Sequence, residues 1–135
     1  MAEHNPTTIV NIRGGYLLKI GSCGKWGQGS FIASIANASG NSCGVLGISY
    51  RHMDTQQNVT YAFTEGRTIG LSIYKKLNSN DRLEVFIYST TNSDSFFPMI
   101  GLSTNKIENL GNVTDLSSYT LVAAIKYYRA RILLP

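Results

Sequence analysis

From Ile69 to Tyr88 the chain alternates between apolar and polar positions. Ile69, Leu71 and Ile73 fall on one side, the polar turn Asn78-Ser79-Asn80-Asp81 interrupts, and Leu83, Val85 and Ile87 resume the apolar side, which predicts a β-hairpin. Its other face carries Tyr74, Phe86 and Tyr88 among Ser72, Lys76, Arg82 and Glu84. That face is more apolar than a solvated sheet surface needs, so the three rings require a cover. The same language recurs along the chain, with short β-rich runs set apart by Gly, Asn, Ser and Asp at intervals of about ten residues. It predicts strands over 7–13, 16–22, 30–37, 45–52, 58–65, 68–77, 82–90 and 96–102, and a last one within 119–134. About nine strands in one chain predict an all-β antiparallel sandwich, jelly-roll-like, because a single open sheet of that size curls or splits into two layers.

Period-two alternation also nominates the inward residues: Tyr16, Leu18 and Ile20; Leu46, Ile48 and Tyr50; Val59, Tyr61 and Phe63. The C-terminal run is more ambiguous. Leu121, Ile125, Tyr128 and Ile132 also fit helical spacing, with Thr114 or Asp115 as an upstream cap, but Val122, Tyr127, Tyr128 and Ile132 suit a pleated surface better, and strand is the reading taken.

A chain of 135 residues is sized for one domain, divided into an N-terminal strand or attachment segment over 1–13 and a single sandwich over 14–135. Hydrophobic residues make up 43% and charged residues 15%, which leaves a surface of Ser, Thr, Asn and Gly. The net charge of +4 is scattered apart from Lys75-Lys76 and from Lys126, Arg129 and Arg131, so no basic stripe suggests nucleic acid as a partner. No run approaches the ~20 apolar residues of a spanning helix, and membrane insertion is not expected. Residues 1–8 show no basic-then-apolar signal pattern. Cys23 and Cys43 are read as free thiols rather than a bridge, since a chain this long folds without a staple.

Catalytic chemistry finds little support. Four glycines in "GSCGKWGQGS" (21–30) lead into a strand rather than a helix N-terminus, which argues against a phosphate cradle. Asp54 beside His52 suggests a triad only superficially, because "RHMDTQQ" reads as a strand end and turn. Two Cys and two His lack zinc-site spacing, and the acidic residues are too dispersed for a glycosidase pair. The expectation is a non-enzymatic protein with no cofactor and no metal.

The succession "GGYLLKIGS", "GSFIASIANASG", "GVLGISYR" and "RTIGLSIYKKLNSNDRLEVFIYSTTNSD" resembles the C-terminal head domains of tailed-bacteriophage fibres and other viral receptor-binding proteins, over about residues 14–95. The likeness is one of strand order, and residues 1–13 contain no shaft or collagen-like repeat. The resemblance implies a homotrimer on a virion, assembled in the host cytoplasm, whose loops contact a host-surface glycan or protein. It also implies a cover for the rings: Tyr74, Phe86 and Tyr88 would form a subunit interface, although burial by the C-terminal segment of the same chain is an equal alternative. A bacterial lectin-like module and a structural capsid or baseplate protein are the competing functions.

Polar tips suited to neutral sugars are "NASGNS", "MDTQQN", "NSND" and "TTNSDS". The best local supply of an aromatic face with polar neighbours is 21–30, where Trp26 stands beside Lys25 and Gln28, with Gln56 and Gln57 as a second source wherever the fold brings the two together. Against this, a lone Trp in a small β-domain is more often core.

Overall fold

The structure, a computed structural model, describes residues 8–13, 15–36, 43–63, 71–89, 96–103 and 107–125. These form ten strands: β1 (Thr8–Arg13), β2 (Tyr16–Cys23), β3 (Gln28–Ala36), β4 (Cys43–Met53), β5 (Gln56–Phe63), β6 (Leu71–Leu77), β7 (Leu83–Ser89), β8 (Phe96–Ser103), β9 (Glu108–Asn112) and β10 (Thr120–Ile125). Two five-stranded antiparallel sheets result, ordered β1-β8-β3-β4-β5 and β10-β6-β7-β2-β9. The fold is thus an all-β sandwich. Pairing of β1 with β8 and of β2 with β7 rolls the chain up as in a jelly roll, while β3-β4-β5 is a plain meander on one sheet and β6-β7 a hairpin on the other.

All nine expected strands are present, and β9 is the one the pattern did not reveal. Its sequence, ENLGN, has no apolar alternation; it is an exposed edge strand held by backbone pairing to β2 and by Glu108, which faces Lys19. The C-terminal ambiguity resolves as strand over Thr120–Ile125. Ile69, residues 1–7 and the basic residues from Lys126 onward lie outside the described residues.

Between the sheets lie Leu18, Ile20, Phe31, Ala33, Leu46, Ile48, Tyr50, Leu71, Ile73, Leu83, Val85 and Ile87, all buried as the alternation requires. Val59 and Phe63 pack against this core, but Tyr61 is 46% exposed because β5 is an edge strand and the core thins there. Gly29 is required by packing: a Cβ there would lie 2.3 Å from the hydroxyl of Tyr50, its cross-strand partner.

A second apolar cluster answers the question of the hairpin rings. Leu17 and Phe86 are buried on the outer face of the second sheet, where Tyr119 stacks edge-on against Phe86 at 5.0 Å and against Tyr74 at 6.4 Å. Tyr74 also meets Tyr88 at 6.2 Å, and the Tyr88 hydroxyl donates to the carbonyl of Val113. The cover is therefore the 113–119 segment of the same chain. Phe86, at 2% exposure, has no surface left to give a neighbouring subunit, and its assignment to an interface is corrected. Tyr74 and Tyr88 are half-buried in the same cluster.

Candidate functional site

Three turns meet at one end of the sandwich. The turn between β2 and β3 (24–27) crosses from one sheet to the other, the β4-β5 turn (54–55) caps the first sheet, and the β6-β7 turn (78–82) caps the second. Backbone bonds lock the first two together: the Trp26 amide donates to the His52 carbonyl at 2.6 Å, and the His52 amide donates to the Gly27 carbonyl at 3.1 Å. The Met53-Gln56 hairpin end is thereby brought against the Lys25-Trp26 turn.

Trp26 is 60% exposed. The expectation that a lone Trp is core fails here because its turn lies beyond the end of both sheets, where no layer remains to cover it. It also adopts φ +67°, a left-handed conformation that a bulky side chain rarely takes. The same turn has the Gly27 amide donating to the Gly24 carbonyl at 2.8 Å, so Trp26 occupies the third turn position, where glycine is ordinarily favoured. The glycines sit on either side instead. At Gly27 a Cβ would come within 2.9 Å of the Gly24 carbonyl oxygen, so that glycine is fixed by space. Among the described residues the other two non-glycine residues with positive φ are Asp54 and Asp81, one in each of the other two turns. Backbone strain among the described residues thus gathers at one end.

His52 organises the tip. Its side chain is fully buried, and because the Asp54 amide can only donate, Nδ1 is the acceptor at 3.2 Å and the ring proton sits on Nε2, facing Asp81 Oδ1 at 3.1 Å. Lys25 closes the ring of contacts, with Nζ 3.2 Å from Asp54 and 3.6 Å from Asp81. The hydrogen bond to Asp54, then the charges of Asp54 and Asp81, raise the Lys25 pKa; the hydrogen bond from His52, with Lys25 adding to it, holds the Asp81 carboxyl below its ordinary value. Gln57 donates to the Asp54 carbonyl at 2.8 Å, and its own carbonyl accepts from Lys75 Nζ at 2.7 Å. Arg82 donates to Ser22 Oγ at 3.3 Å.

The site residues nominated from sequence therefore divide. Trp26, Gln28 and Gln56 are exposed and free to meet a ligand. Lys25 and Gln57 lie in the same place but are occupied in holding the turns, so their role is to position the platform. His52, Asp54 and Asp81, the residues that fasten the tip, were visible in sequence only as ordinary turn residues. The loops at 37–42 and 91–95, also nominated, lie outside the described residues.

The same geometry bears on nucleophilic chemistry. Cys23 is a free, buried thiol whose pKa is pushed up by burial, and both His52 ring nitrogens are engaged elsewhere. Cys43 opens β4, and His52 lies nine residues further along the same strand, which at about 3.3 Å per residue puts the Cys43 backbone roughly 30 Å from the tip and out of bridging range of Cys23. Among the described residues no group of three or more His, Cys, Asp and Glu is placed to hold a metal. No protein family, curated relative or solved structure matches this chain.

Proposed function

We propose that this protein is a non-enzymatic adhesion module that recognises a surface glycan at the three-turn tip, in the receptor-binding role that the fibre-head resemblance implies. One observation carries the reading: an exposed indole held in an unfavourable backbone conformation at a position where glycine would relieve the strain. Strained residues of this kind persist only where the surroundings over-determine them, and they cluster at functional sites. The indole offers an apolar face to the C–H face of a sugar ring, and Gln28 and Gln56 supply amides for its hydroxyls. The Lys25-Asp54-Asp81-His52 contacts keep the platform rigid, so little side-chain entropy is lost on binding.

A glycan array probed with the wild-type chain and with Trp26→Ala tests this reading. Binding by the wild type and none by a folded Trp26→Ala variant is the expected result; an empty array, or full binding by the variant, overturns it. The trimeric, virion-borne arrangement belongs to the same proposal, and a solution mass near one 14.8 kDa chain removes that part alone.

A further inference from the structure

The outer face of the first sheet begins at Gln28, two residues beyond Trp26, and the register sorts it into rows. Gln28, Arg51 and Asn58 stand opposite one another, then Ser30, Ser49 and Thr60, then Ile32, Gly47 and Ala62. Two shallow grooves cross these rows. One of about 490 Å³ is lined by Gln28, Gly29, Ser30, Ser49, Tyr50 and Arg51, and it shares Ser30 and Ser49 with a second of about 290 Å³ that continues over Gly47 to Ala62.

The charge in the first groove is unspent. Six cationic side chains are described: Lys19 faces Glu84 and Glu108, Lys25 faces Asp54 and Asp81, Lys75 donates to the Gln57 carbonyl, Lys76 lies over the Tyr119 ring and Arg82 donates to Ser22. Arg51 is the exception, with no side-chain ion-pair or hydrogen-bond partner among the described residues, and it lines the same concavity as Gln28 and Ser49. Its planar fork matches a two-oxygen anion. Gly47 lines the second groove, where a Cβ would meet nothing within 4 Å and no positive φ requires glycine. Glycine weakens a strand interior, so its presence is not explained by packing, and it leaves the second groove open where the two grooves adjoin.

We infer that the glycan taken up at the tip carries an anionic substituent, a carboxylate or a phosphate, which Arg51 binds in the groove with Ser49 and Gln28 as flanking donors. Lys25 does not take that role because it already holds two carboxylates. This rests on the tip reading and replaces the neutral sugar expected from the loop composition with an acidic one.

The test uses three probes with the full chain: a hexuronic-acid oligosaccharide, its carboxyl-reduced counterpart and poly(glycerol phosphate). The wild type is expected to bind one of the two anionic probes at least tenfold more tightly than the reduced one, and which of the two it binds names the anion. Arg51→Gln is expected to weaken that probe by roughly ten- to a hundredfold, the loss of a charge-assisted hydrogen bond, without changing binding of the reduced one. Equal binding of acidic and reduced probes, abolished by Trp26→Ala and untouched by Arg51→Gln, overturns the anion subsite and leaves the tip reading standing. Binding weakened by Arg51→Gln but not by Trp26→Ala supports the subsite and overturns the tip. No binding of any probe overturns both.

Discussion

Replacing Trp26 by Ala and, separately, by Gly isolates the backbone strain on which the functional reading depends. Trp26 is 60% exposed, so the covered remainder, on the order of 100 Å² for a side chain of up to ~250 Å², is worth at most about 2.5 kcal/mol. Both variants lose it alike. They differ in the backbone: at φ +67° a residue with a Cβ is penalised by about 1–2 kcal/mol, which Gly escapes, while Gly gives back about 0.4–1 kcal/mol through the greater freedom of its unfolded chain. Trp26→Gly should therefore be more stable than Trp26→Ala by up to about 1.6 kcal/mol, with a central value of about 0.8, the reverse of the usual order within a strand or helix. In urea denaturation, with a slope of about 1–3 kcal/mol/M, the difference is a few tenths of a molar in midpoint. Both variants should lose glycan binding equally. An Ala variant more stable than the Gly variant refutes the strained turn; a Gly variant that still binds refutes the platform.

Gly29→Ala should destabilise by about 1–3 kcal/mol, seen as a lower denaturation midpoint, because the new methyl would overlap the Tyr50 ring; a neutral result would mean that ring is free to move. For the covered aromatic cluster, a double-mutant cycle of Phe86→Leu with Tyr119→Ser should return about 0.5–1.5 kcal/mol of coupling, independent of protein concentration; a concentration-dependent value would return Phe86 to a subunit interface. Asp81 is held below its ordinary pKa by His52 first and Lys25 second, so its stabilisation is present above the unfolded value of about 3.9 and is lost as pH falls through the lower folded value. Asp81→Asn should accordingly be less stable than wild type near neutrality, with the gap closing in strong acid, and a gap constant with pH contradicts the His52 contact. Cys23, buried and with a raised pKa, should resist alkylation in the native protein and react on unfolding, as intact-mass analysis would show.

Residue by residue, the sequence determined the all-β class, nine of the ten strands and most of the core. A half-buried strand must alternate, and Leu71, Ile73, Leu83, Val85 and Ile87 do so in an unbroken run. What it could not show was β9, whose stability comes from hydrogen bonds to β2 rather than from any apolar side. The sequence also posed the problem of the hairpin rings without solving it. Phe86 meets Tyr119 thirty-three positions further along, and no period in the chain encodes a contact between a strand and the loop that folds over it.

The candidate site divides the same way. Trp26 and its polar neighbours stood out by composition alone, because an aromatic ring among glycines and amides is visible in a single loop. That the ring is exposed, that its backbone is strained, and that Asp54 and Asp81 converge on Lys25 from two different turns were decided only by the tertiary structure. Exposure depends on what lies above a residue, and the tip exists only because β2, β4 and β6 all end at the same edge of the sandwich, bringing His52 and Asp81 within hydrogen-bonding distance across a separation of 29 residues. Periodicity fixes which way a side chain points from its own strand; which distant turn it then meets is set by strand pairing and layer packing, which no local pattern contains.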